Sequence, residues 1–129
     1  MCVLILDIDH FKNYNDLHGN LGGDVALVAM SNVLKSNIRP CDYAVRIGGE
    51  EFMVLLPNTQ HSDGLKLAER IRLEIEQKTI LHADGGAMPG VTVSIGIAIN
   101  DQQSTSKTIF AAADKQLYLA KHSGRNCVK

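Results

Sequence analysis

Cysteine is scarce in this chain. Cys2, Cys41 and Cys127 are odd in number and far apart, which makes neither a disulfide framework nor a zinc-ligand spacing. Reduced thiols in a cytoplasm are the expectation. The histidines, His10, His18, His61, His82 and His122, show no metal-ligand spacing and read as surface or packing residues. Charge of one sign is also missing: the formal net charge is −1, so there is no basic field for general nucleic-acid binding. An anionic substrate has to be held by a few local cations. No apolar run approaches the ~18–20 residues that span a bilayer, and Met1 leads straight into an apolar strand, so no signal peptide is read there. The glycine-rich stretch Gly19–Gly23 lacks the Lys-Ser/Thr of a P-loop. With no repeat, low-complexity tract or internal linker, the 129 residues read as one domain with room for a real core.

What is present centres on Arg46-Ile47-Gly48-Gly49-Glu50-Glu51-Phe52, set between Tyr43-Ala44-Val45 and Met53-Val54-Leu55-Leu56. Two apolar runs around a Gly-Gly pair predict a β-hairpin, since a two-residue primed turn needs positive φ and glycine supplies it. Glu50 and Glu51 then read either as solvated turn acids or as part of a site. Val3-Leu4-Ile5-Leu6 reads as a buried strand that ends in Asp7-Ile8-Asp9. Alternation puts Asp7 and Asp9 on one face and Ile8 on the other. If this strand lies beside the hairpin, Asp7 and Glu50 approach. Two like charges about 4 Å apart cost roughly 4 kcal/mol at an effective dielectric near 20. Either one carboxylate is protonated or a cation sits between them. Oxygen ligands without convergent Cys or His point to Mg²⁺ or Mn²⁺, which keep positions open for substrate phosphates.

His10 to about Leu17 reads as a short helix, with Lys12 in a first turn whose dipole does not favour a cation. After the glycine-rich link, Asp24 is placed to N-cap a second helix to about Asn37, with Leu27, Met30 and Leu34 on one face. Arg39-Pro40-Cys41-Asp42 reads as a loop ion pair, worth little in water. Ser62-Asp63 caps a helix over Ser62–Lys78 with Ala68, Ile71 and Ile75 inward. On it Arg70 has Glu74 four residues on, an exposed helix pair. His82 to Gly90 reads as a mobile loop. Val91, Val93, Ile95, Ile97 and Ile99 alternate with smaller residues as a period-two strand. Ser104-Thr105-Ser106 caps the last helix, with Phe110, Ala113, Leu117 and Ala120 buried and Gly124 as a left-handed terminator. Lys121 and Arg125 complement its C-terminal dipole. The order βααββαβα predicts an α/β (α+β) domain: a mixed sheet flanked by helices.

Asp7-Ile8-Asp9-His10-Phe11-Lys12, Asn15-Asp16, Gly23-Asp24 and Gly48-Gly49-Glu50-Glu51-Phe52 together resemble, in order and spacing, the signature of GGDEF-domain diguanylate cyclases. The resemblance implies a palm-like nucleotidyl cyclase fold related to the ferredoxin-like arrangement. It implies a catalytic domain over 1–129 that condenses two GTP into cyclic di-GMP and releases two pyrophosphates. Asp7, the Ile8 carbonyl and Glu50 would ligate Mg²⁺ (or Mn²⁺), and Glu50 or Glu51 would receive a proton. Lys12, Lys121 and Arg125 would meet the triphosphate. Asn15 and Asp24 would read guanine; a carboxylate can accept from its N1–H and amine, and an amide can do both. Arg39 and Asp42, with Arg70, would form an inhibitory cyclic di-GMP site, for which the arginine fork suits phosphate and the Hoogsteen edge. Asn20 stands where the family usually has His; it can hydrogen-bond substrate but not titrate.

One domain holds one GTP, so a second copy of the domain is implied as a partner. Relatives also carry a preceding helix with an Asp-x-Leu-Thr-Gly-Leu-x-Asn-Arg segment, absent here. Met1 is therefore expected to be internal to a longer bacterial signalling protein, or upstream residues to be removed, with a sensory domain or membrane anchor upstream. Two rival readings stand beside the cyclase. One is a non-catalytic receptor for GTP or cyclic di-GMP, although such members usually lose the acidic motif that Asp7, Glu50 and Glu51 preserve here. The other is a different palm-type nucleotidyl transferase, which the missing basic field disfavours.

Overall fold

β1 (Cys2–Ile8) is buried along its whole length, because both of its faces are covered. In the computed structural model, which describes residues 1–81 and 85–129, it lies inside a four-stranded sheet of order β2-β3-β1-β6. Here β2 is Tyr43–Arg46, β3 is Glu51–Leu56 and β6 is Val93–Ile99. Leu4, Leu6 and Ile8 join Phe52, Val54, Val93 and Ile95 beneath the helices α1 (Phe11–Asn37) and α2 (His61–Gln77). Val3 and Ile5 face the other way, onto Ile109, Ala113 and Leu117 of α3 (Ser106–His122). Gly96 lets α3 lie this close: a Cβ there would overlap the backbone of Ala113 and Leu117.

The strands pair antiparallel throughout, where a mixed sheet was expected. The reason is the order: β3 is inserted between β1 and β2, so the strands linked by the α1 crossover are parallel in direction but not adjacent. This is the split β-α-β arrangement of ferredoxin-like folds. Among the described residues the parallel component is one bridge, Ile95 to Val128.

Several local expectations are corrected. The two predicted helices and their link are one element, α1, kinked at Gly19 (φ 74°, ψ 173°). Gly22 and Gly23 are helical and buried; they pack against His18 and Asn15, contacts that offset glycine's poor helix propensity. Asp24 is therefore an exposed residue inside a helix, not an N-cap. In the β2–β3 hairpin neither Gly48 nor Gly49 has positive φ. The loop runs over residues 47–50 and is closed by the N–H groups of Ile47 and Gly48 on the Glu51 carbonyl, at 2.8 and 3.2 Å. α2 is preceded by Gln60, which makes no side-chain cap, and Asp63 lies in its first turn. The expected loop over 82–90 contains part of a small hairpin, β4 (Ile80–Leu81) with β5 (Ala87–Met88); residues 82–84, including His82, lie outside the described residues. On α3, Thr105 forms a capping box with Thr108. Ile109 rather than Phe110 is buried there, Phe110 being 40% exposed. Gly124 is left-handed as expected (φ 101°), and the Arg125 N–H closes the helix end on the Ala120 carbonyl at 3.1 Å. Among the described residues no helix is long and apolar enough to cross a membrane.

Candidate active site

One end of the sheet gathers the acids. Asp7, the penultimate residue of β1, pairs across the ladder with Glu51, the first residue of β3. Glu50 precedes it in the loop, where its carbonyl accepts from the Ile8 N–H at 3.2 Å. Burial pushes both Glu50 and Glu51 above the ordinary glutamate range, the charge of Asp7 raises them further, and Lys121 opposes the shift. Lys121 reaches over from α3 and donates to Asp7 Oδ2 at 2.7 Å. The cluster thus carries more negative charge than the one ammonium neutralises.

Asp9 has a different fate. Buried, it accepts from Ser94 Oγ at 2.6 Å, Thr92 Oγ1 at 2.7 Å and the Asn126 N–H at 2.9 Å. Its carboxylate is committed to holding β6 and the chain after α3. Ser94 lies on the α3 side of β6, since Val93 and Ile95 face the other core, so Asp7 and Asp9 do share a face.

Beside the acids, a cavity of about 510 Å³ opens between α1 and the hairpin loop, lined by Lys12, Asn15, Asn20, Asp24, Arg46 and Glu50, with Phe11, Leu27 and Gly49. The kinked α1 supplies the polar wall from both of its segments. Among the described residues Asn15 Oδ1 is buried without a hydrogen-bond partner, an orphaned acceptor that normally finds a donor. α1 begins at a left-handed His10 (φ 54°) whose side chain does not cap its first amides, a disposition that favours anions. Lys121 lies with the Asp7 cluster, outside the cavity lining, and Arg125 sits exposed on the turn after α3.

Arg46 escaped the sequence reading. Its Nε and Nη2 donate to the Gly48 and Gly49 carbonyls at 2.7–3.1 Å, which fixes the loop without left-handed glycines. An arginine immediately before an Ile-Gly-Gly loop was the available signal. Among the described residues no three His, Cys, Asp or Glu side chains converge as a metal cluster. The sheet end offers oxygen donors only: the Asp7, Glu50 and Glu51 carboxylates and the neighbouring backbone carbonyls.

A second cavity, of about 330 Å³, holds Arg39, Asp42 and Arg70 together, with Asn37, Asp63 and Lys66. Arg39 grips Asp42 from its backbone N–H (2.8 Å), Nε (3.2 Å) and Nη2 (2.9 Å), and also donates to the Pro57 carbonyl and Thr59 Oγ1. Burial alone would raise Asp42, but the hydrogen bonds from Arg39 outweigh it and hold the carboxyl below its usual range. Arg70 donates to Asn37 Oδ1 at 2.7 Å and to the Asn37 carbonyl. The expected Arg70–Glu74 pair is replaced by Asn37, which takes Glu74 at its amide, 3.0 Å away.

The family model described as "Diguanylate cyclase, GGDEF domain" matches residues 1–127. Diguanylate cyclase A of Treponema denticola is 43% identical over 99% of the chain, which spans 34% of that protein. The response regulator PleD of Caulobacter vibrioides is 42% identical over 97% of the chain and 28% of its own length. The chain thus spans about a third or less of these curated relatives. Among solved structures, the GGDEF domain of DgcB from Caulobacter crescentus in complex with c-di-GMP superposes with a TM-score of 0.94 at 32% identity, covering 99% of this chain and 73% of that one. The active GGEEF domain of a diguanylate cyclase from Vibrio cholerae has a TM-score of 0.87 at 29% identity, covering 98% of this chain and 81% of that one.

Proposed function

The chain belongs to the GGDEF family of diguanylate cyclase domains, and on that premise we propose that it condenses two GTP into cyclic di-GMP, releasing two pyrophosphates. The observation that carries the reading is the single cavity that gathers Lys12, Asn15, Asn20 and Asp24 beside Glu50. A purine with donors at N1 and N2 satisfies the orphaned Asn15 Oδ1 and the Asp24 carboxylate; adenine, lacking both donors, does not. Lys12, Lys121 and Arg125 neutralise the triphosphate.

Asp7, Glu50 and the Ile8 carbonyl would hold Mg²⁺ or Mn²⁺: the donors are all oxygen, and Glu50 and Glu51 are raised by burial first and by the charge of Asp7 second, both of which a bound cation would oppose. When bound, such an ion supplies polarisation of the α-phosphate and acidifies the 3′-hydroxyl. In each condensation a 3′-oxygen bonds to the α-phosphorus of the other GTP, the bond to pyrophosphate breaks, and the hydroxyl proton passes to a carboxylate. Glu50 and Glu51, both with raised proton affinity, are the acceptors at hand. Each domain positions one GTP, so turnover needs two domains face to face. Cyclic di-GMP at Arg39, Asp42 and Arg70 would hold them apart. The assignment extends to a cytoplasmic protein with a signal-receiving part upstream, in keeping with a relative named as a response regulator.

The test is chromatography of nucleotides after incubation with GTP and Mg²⁺ at low and high protein concentration. Cyclic di-GMP should appear at a rate rising more than linearly with protein, and Glu50→Gln should abolish it while leaving the chain folded, melting no lower than the parent. Cyclic di-GMP production undiminished in Glu50→Gln would sink the mechanism. A second reading, a nucleotide-binding module, is favoured by Lys121 already occupying Asp7. It requires tight GTP or cyclic di-GMP binding with no product at any protein concentration.

A further inference from the structure

The turn after α3 is held in an unfavourable conformation by contacts from three directions. Gly124, Arg125 and Asn126 have φ of 101°, 63° and 47° in succession. Glycine adopts such values freely; side-chain-bearing residues do so only where surrounding contacts fix them, asparagine more readily than most. Asn126 is where the contacts converge. From the end of β1, buried Asp9 accepts its N–H at 2.9 Å. From α2, Arg72 Nη1 donates to its Oδ1 at 2.8 Å, and Glu76 accepts from its Nδ2. Arg72 is itself fixed by Glu69 and Glu76, with a side chain only 13% exposed. The next residue, Cys127, accepts from the Ile95 N–H of β6 at 3.0 Å. Arg125, flanked by Gly124 and the pinned Asn126, is exposed, and its guanidinium makes no hydrogen bond or ion pair among the described residues. Lys121, one helical turn earlier, is already engaged with Asp7. The free cation of this region therefore rides on a backbone whose shape is set by its neighbour.

We propose that Asn126 is a positioning residue: held by Asp9, Arg72 and Glu76, it fixes the left-handed backbone from which Arg125 reaches the triphosphate. This rests on the assignment of Arg125 to the triphosphate made above. Asn126 fits the task twice, by tolerating positive φ and by carrying an amide that serves a donor and an acceptor on α2 at once.

The experiment is a double-mutant cycle on the full chain, reading the KM for GTP and, independently of turnover, GTP affinity with Mg²⁺ by calorimetric titration. Arg125→Ala should weaken binding roughly ten-fold, the loss of one charge-assisted contact. Asn126→Ala should weaken it comparably, and should cost nothing further in the Arg125→Ala background. Asn126→Gly keeps positive φ accessible and keeps the N–H for Asp9; it should weaken binding less than Asn126→Ala, and it carries the cycle if the alanine variant fails to fold. Additive losses would show that Asn126 acts independently of Arg125 and overturn the proposal. So would a loss for Arg125→Ala with none for Asn126→Ala, which leaves the Arg125 assignment standing. Unchanged affinity in Arg125→Ala would remove that assignment and the positioning role with it.

Discussion

Glu51 shows how residue-level electrostatics become a measurable stability. Its folded pKa lies above its ordinary value, from burial first and then the charges of Asp7, Asp114 and Glu50. An acid whose pKa rises on folding favours the fold most when protonated, and that contribution is lost as pH rises through the folded value. Glu51→Gln should therefore melt at a higher temperature than the parent at neutral pH, without divalent cation, and the gap should close as pH falls through the raised folded value toward the ordinary glutamate range. Asp42 has the opposite sign: held below 3.8 by Arg39 against the cost of burial, it contributes above that value and loses the contribution as pH falls through its folded pKa. Melting scans of parent and variant across pH separate the two, because Asp42 is common to both. The partly buried Lys121–Asp7 pair is costly to break one partner at a time, since the remaining charge is left uncompensated.

At the scale of elements, α1 shows what a sequence conceals. Gly19, Gly22 and Gly23 read locally as a break, yet only Gly19 departs from the helix, and the other two are absorbed by close packing. Gly23 lies against Asn15, and a Cβ added there would overlap the Asn15 amide. Gly23→Ala should thus gain intrinsic helix propensity, worth up to about 1 kcal/mol. It should also displace Asn15 from the cavity wall and weaken GTP binding by roughly ten-fold. Titration alongside denaturant melts checks both signs. β6, α2 and α3 were legible because burial imposes a period that the residues display, and β1 because burial on both faces leaves an unbroken apolar run. β4 and β5 were not, because two-residue strands have no period. Choosing Phe110 over Ile109 was an error of rotation: both are apolar, and the roll of α3 is decided by its contact with Gly96 across the fold. Within the site, Lys12, Asn15, Asn20, Asp24 and Glu50 were legible because they lie in motifs, and the fold does bring them together. Arg46 holds backbone carbonyls of its own loop, with only its place before Ile-Gly-Gly as a signal, and the side-chain partners of Asn126 on α2 lie 50 and 54 residues away in the chain, beyond any local pattern.

Over the whole molecule the two cavities have no lining residue in common. A ligand at Arg39 and Asp42 therefore does not compete for space with one at Asn15 and Asp24 in the same chain. On the proposed function, Arg39→Ala should relieve inhibition by cyclic di-GMP while leaving the KM for GTP nearly unchanged, as initial rates with added product would show. Persistence of inhibition in that variant would remove the assignment of this cavity. The sheet carries a further consequence at its margins. The outer rim of β6, a strand in which valine and isoleucine alternate with small residues, is partly paired by residues 127–129: Ile95 and Ile97 donate to the Cys127 and Lys129 carbonyls, and Lys129 donates back to Ile95. An unpaired rim of such composition is a template on which other chains add as strands. Residues 127–129 thus cover part of that rim. Deleting them should give concentration-dependent growth of β-rich aggregates, followed by light scattering and thioflavin fluorescence, under conditions where the full chain stays clear.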